Sequence, residues 1–163
     1  MAGESENAKL FAELQKYGVD LGTVVRDTHA DTMIRCMSLF DEALEITIKL
    51  DMLNRGEKFN ERMFKHHGEL ATLEKKINKA KGLNLIDDVA RDDAHLLRKI
   101  RNRFAHRRER LHFDSPRVVE FARQLSTYEK AEHNQAAILA AQSNVHEQLM
   151  KGWRKAGKSA GAG

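Results

Sequence analysis

Proline occurs once in this chain of 163 residues, at Pro116, and cysteine once, at Cys36. One cysteine excludes an internal disulfide, and its apolar helical surroundings predict a buried thiol. One proline leaves long stretches in which nothing interrupts a helix. No apolar run is long enough to cross a membrane. The start, Met1-Ala2-Gly3-Glu4-Ser5-Glu6, lacks the basic-then-apolar order of a secretory signal. Glycines are single and scattered, so there is no phosphate-cradling loop. There is also no Gly-x-Ser-x-Gly, no Cys-x-x-Cys, no internal repeat, no sustained heptad and no recognisable helix-turn-helix pair.

What is present favours helix. Hydrophobic residues make up 41% and charged residues 32%, with the strong helix formers Ala, Leu, Glu, Lys, Arg and Gln dominant. A chain of this length buries about two thirds of its unfolded surface, enough for a core without disulfides or metal. The formal charge of +4 is mildly basic. It permits contact with nucleic acid without requiring it. The excess gathers over Arg98 to Arg110 and in the tail at Lys151, Arg154, Lys155 and Lys158.

Periodicity places the elements. Residues 1–6 read as a flexible end. Leu10, Phe11, Leu14 and Tyr17 predict a first helix, stopped by Gly18. A second runs from a cap at Thr23 or Asp27 through Met33, Met37, Phe40, Leu44 and Ile48 to Asn54-Arg55-Gly56. Its broad apolar face marks it as the spine of the core, packed by several neighbours. Phe59, Met63 and Phe64 form a short helix or turn, broken by His66-His67-Gly68. Adjacent histidines on a helix diverge by about 100° and no acidic or thiol partner sits at ligand spacing, so a metal is not expected. Leu70, Leu73, Ile77 and Ala80 predict a fourth helix ending at Gly82. Asp87 or Asp88 caps a fifth, which carries Val89, Leu96, Leu97, Ile100 and Phe104 inward and stops near His106. Leu111-His112-Phe113 is too short for a strand. Ser115-Pro116 opens a sixth helix with Val118, Val119, Phe121, Ala122 and Leu125. From Thr127 a last long helix, through Ile138, Leu139, Val145, Leu149 and Trp153, crosses the bundle or lies on a partner subunit. The reading is an all-α, single-domain bundle of six to seven helices over 7–155, with a disordered tail at 156–163.

The fifth helix also carries the candidate site. Arg98, Asn102 and His106 recur at four-residue steps and share one face. Arg101 stands about 140° away from His106, within reach of a long guanidinium. An imidazole titrates near neutral pH and a guanidinium holds phosphate with paired donors. Together, Arg101 and His106 could cleave RNA without metal: His106 assists attack by the 2′-hydroxyl and Arg101 steadies the charge that develops. The plain structural alternative has Asn102 and His106 tying off the helix end, and Arg101 paired with Asp87, Asp88, Asp92 or Glu109. Residue chemistry alone favours that alternative.

The segment Ile100-Arg101-Asn102-Arg103-Phe104-Ala105-His106 resembles the Ile-Arg-Asn-x-Phe-Ala-His signature of the mannitol operon repressor family. The likeness extends back through Gly68-x-Leu70, Lys76-Ile77, Ala80 and Gly82-Leu83-Asn84-Leu85-Ile86, and forward through Leu111-x-Phe113-Asp114-Ser115-Pro116-Arg117-Val118. It covers roughly residues 30–125. The resemblance implies a cytoplasmic bacterial all-helical protein that represses transcription, with no DNA-binding motif of its own. It departs from the family at His66-His67, at Arg107-Arg108 and in the long C-terminal helix. The Arg-x4-His spacing of Arg101 and His106 is also similar to that of the HEPN superfamily, whose helical bundles include metal-independent toxin ribonucleases. Three expectations follow. The first is a non-enzymatic transcriptional regulator with Arg98, Arg101, Asn102, Phe104 and His106 as its binding signature. Its partners are another regulatory protein, a second copy in a homodimer, and nucleic acid only weakly or indirectly. The second is a HEPN-like ribonuclease with Arg101 and His106 catalytic. The third is a plain dimeric scaffold. None of the three calls for a cofactor.

Overall fold

A computed structural model of the chain describes residues 21–106 and 111–160, with side chains over 28–106 and 111–154. Five α-helices and two 3-10 turns make up the described part, which contains no strand. Helix α1 spans Leu21–Asn54, α2 Leu73–Gly82, α3 Asp88–Ala105, α4 Pro116–Ala122 and α5 Asn134–Ala160. Five is fewer than the expected six to seven. The short third segment is a 3-10 turn at Glu61–Phe64, and the expected helix over 7–17 lies outside the described residues.

The longest helix, α1, is the spine. It begins at Leu21, ahead of both residues offered as its cap. Met33, Met37, Phe40, Leu44, Ile48 and Met52 recur at steps of three and four, and all are buried. Against this stripe pack α3, through Leu97, Ile100 and Phe104, and α5, through Ile138, Val145 and Leu149. The short helix α2 closes one side with Ile77 and Ala80.

Local chemistry sets the boundaries. Thr72 caps α2, its hydroxyl accepting from the Lys75 N–H at 3.3 Å. Asp87 caps α3, its carboxylate accepting from the Ala90 N–H at 2.8 Å. Pro116 occupies the first turn of α4, where its missing N–H costs nothing. Ser115 does not cap that helix by its side chain. Its hydroxyl instead accepts from the His112 N–H at 2.9 Å, folding the loop back. Gly68 is required: a Cβ there would lie 2.2 Å from the Arg62 carbonyl oxygen.

Several expectations are corrected. The fourth segment becomes helical only at Leu73, and Leu70 packs from the turn before it. Val89 is 56% exposed rather than inward, because it stands about 100° around the helix from Ala90, which with Ala94 and Leu97 forms the buried face. The last helix starts at Asn134, not Thr127. Residues Tyr128–Lys130 form a 3-10 turn, and the Thr127 hydroxyl donates to the Ala137 carbonyl at 2.7 Å, bending the chain into α5. At its far end α5 runs to Ala160, into the segment expected as a tail. Cys36 is half-buried rather than buried.

One polar network fixes α2 to α1. The Lys76 ammonium, 5% exposed, meets Asp41 at 2.9 Å and Glu45 at 2.8 Å. Burial pulls the Lys76 pKa down, but hydrogen bonds to Glu45 and Asp41 more than offset this and leave it raised. Glu45 also holds Lys49 at 2.8 Å. Burial pushes the Glu45 carboxyl up, yet the bonds from Lys49 and Lys76 bring its pKa below the usual value.

Candidate functional site

The C-terminal half of α3 has two faces. Leu97, Ile100 and Phe104 point into the core, and the Phe104 ring meets Phe113 edge-on with centroids 5.6 Å apart. Phe113 in turn stacks on His29 at 4.5 Å. Phe104, one of the signature residues, is therefore a packing residue that anchors the end of α3 to the loop ahead of α4.

The polar face opens on a cleft of about 530 Å³ between α1, the start of α2 and α3. Arg98, Arg101 and Asn102 form one wall. Ser38, Asp41 and Glu42 of α1 form another, and Thr72 and Glu74 at the head of α2 the third. Arg98 meets Glu74 at 3.1 Å, while its Nε is buried with no partner among the described residues. Arg101 donates from Nη1 to Oδ1 of its neighbour Asn102 at 3.1 Å. The expected structural partners of Arg101 are otherwise engaged: Asp87 caps α3, Asp88 pairs with Lys81 and Arg91, and Asp92 pairs with Arg91. Glu109 lies outside the described residues.

His106 does not join this wall. Its backbone N–H donates to the Asn102 carbonyl at 3.3 Å and closes the helix, with φ −81° and ψ 85°. The residue is exposed and is not among those lining the cleft. It stands one turn beyond Asn102, at the end of α3 and outside the lining of the cleft. Of the five signature residues, then, Arg98, Arg101 and Asn102 line one cleft, Phe104 is core and His106 is a helix terminus. The other cationic groups of the stretch, Lys99 and Arg103, lie over the Phe121 ring at 5.7 Å each.

The acids of the cleft were not visible as site residues in the sequence. Asp41 and Glu42 come from α1 and Glu74 from α2, far apart in the chain and brought together by packing. Their presence changes the electrostatics. Two guanidinium groups face three carboxylates, so the cleft is mixed in sign rather than cationic. Among the described residues no group of histidine, cysteine and acidic side chains could hold a metal ion, and His66 and His67 lie in a loop. No described helix is long and apolar enough to cross a membrane. No family model, no curated protein and no solved structure matches this chain.

Proposed function

We propose that this chain is a non-enzymatic regulatory protein of the mannitol operon repressor type, a cytoplasmic transcriptional regulator that acts by holding another regulatory protein. The observation that carries the reading is the mixed charge of the cleft, where Arg98 and Arg101 face Asp41, Glu42 and Glu74. A nucleic-acid backbone is uniformly anionic and would meet three carboxylates there. A polar segment of a protein can answer both signs. Nucleic acid enters only indirectly or weakly, through the basic Arg98 to Arg110 stretch.

The separation of Arg101 from His106 weighs against the ribonuclease reading. Acid-base cleavage needs both groups at one phosphate. Arg101 lines the cleft, and His106 does not.

The test is affinity capture from mannitol-grown bacterial cells with wild-type protein and with Arg98→Ala and Arg101→Ala. The reading expects a transcription-related protein on the wild type and at least a ten-fold reduction on either variant. Capture of no such protein, together with no DNA binding, contradicts it.

A further inference from the structure

Most of the charge around the cleft is already answered inside the protein. Asp41 meets the Lys76 ammonium at 2.9 Å, and Glu74 meets Arg98 at 3.1 Å. Two charged groups of the lining remain. Glu42 is exposed on α1 and joins no ion pair among the described residues. Arg101 is half-buried on α3 and donates from Nη1 to the Asn102 Oδ1 at 3.1 Å. That bond orients both side chains. Arg101 keeps Nη2 and Nε as donors, and the Asn102 amide, with its oxygen engaged, adds Nδ2. The α3 wall therefore offers donors and positive charge, while Glu42 on the α1 wall offers only acceptors. The two poles share one cleft without meeting.

We propose that the cleft recognises a dipolar segment of the docking protein, with an acidic side chain seated on Arg101 and Asn102 and a basic side chain seated on Glu42. This rests on the reading of the chain as a regulator that holds another protein. Charge selects the occupant. A purely acidic segment satisfies Arg101 and meets Glu42 unanswered, and a purely basic one does the reverse. An acid and a base together answer both poles. Their spacing follows from the helices. Packed helix axes stand about 8–10 Å apart. Residues i and i+2 of an extended segment share a face at about 7 Å, and flexible side chains cover the rest. Arg98 has a different part. It neutralises Glu74, and without it the Glu74 carboxylate would repel an incoming acid, which gives Arg98→Ala its effect on docking.

Peptide titration of the isotope-labelled full chain, followed by NMR, tests the proposal. The probes are acetyl-Glu-Ala-Lys-amide, the reversed acetyl-Lys-Ala-Glu-amide, and controls with Gln in place of Glu or of Lys. At least one dipolar peptide should shift the Arg101 Nε–H and Asn102 Nδ2 signals with a Kd on the order of millimolar. Each control should bind about three- to five-fold more weakly. In Glu42→Gln, the dipolar peptide and its control lacking Lys should bind alike. In Arg101→Gln, the same should hold for the control lacking Glu. Glu42 is exposed, so amide signals of Glu42→Gln away from the cleft should match wild type. Three results would overturn the proposal: no shift at the cleft up to about 20 mM peptide, a control that binds wild type as well as the dipolar peptides do, or a preference for Lys that survives Glu42→Gln. Failure of the docking reading has a separate signature. Capture of no regulator overturns that reading and leaves the peptide result standing. A regulator captured equally by wild type and Glu42→Gln overturns the dipolar segment and leaves the docking reading standing.

Discussion

At the scale of single residues, a buried ammonium and two half-buried imidazoles give the fold its sensitivities. Lys76 is nearly enclosed and holds two carboxylates, but Asp41 and Glu45 keep partial access to water. Lys76→Met should therefore cost about 1–2 kcal/mol in urea unfolding, below the cost of stripping a fully buried pair. Two histidines set a pH dependence. Burial, and then the charge of His112, lowers the pKa of His29. Burial, and then the Arg98 guanidinium, lowers that of His95. Both side chains are neutral in the native state and bind protons more readily when unfolded. Their contribution is fully present above their ordinary value of 6.5 and is lost as pH falls from there through their lowered native values. The urea midpoint should drop between pH 7.5 and pH 5.5, and His29→Gln with His95→Gln should flatten that drop. An unchanged slope in the double variant would remove these histidines from the account.

At the scale of elements, the helix ends are where sequence and structure agree best and also where they part. Asp87 and Pro116 signal the starts of α3 and α4 by chemistry that acts within one turn, so both were legible. Thr72 caps α2 in the same way, and Thr72→Ala should cost about 1 kcal/mol by thermal unfolding. Gly68→Ala should cost more than that, since the turn around Met63 and Gly68 leaves no room for a methyl group. The periodicity of α1 was legible as a long helix with a broad apolar face. What periodicity does not encode is which neighbour covers each part of such a face. One stripe is core and the other, Leu39, Ile46 and Leu53, is exposed, and only packing separates them. The exposed stripe spans about two heptads, too short to stand out as a sustained repeat. The start of α5 was misplaced for a similar reason. The Thr127 hydroxyl bonds ten residues ahead, to Ala137, and a helical window does not register that contact.

At the scale of the whole molecule, the candidate site is a product of long-range packing. Arg98 and Asn102 were legible as one polar row from their four-residue spacing, with His106 expected in the same row and Arg101 off it but within reach. The three acids that face them arrive on α1 and α2, and they turn an apparently basic stretch into a cleft of mixed sign. His106 caps the end of α3, one turn beyond Asn102. That gives the residue a terminal role and leaves the cleft without a histidine among its lining. The mannitol-repressor reading and the ribonuclease reading diverge at this point.

The most direct measurement of that divergence is cleavage of single-stranded RNA in excess chelator by wild type, Arg101→Ala and His106→Ala. The account predicts the same background from all three proteins. Fragments made by wild type and lost in both variants would contradict it and give Arg101 and His106 a shared catalytic role.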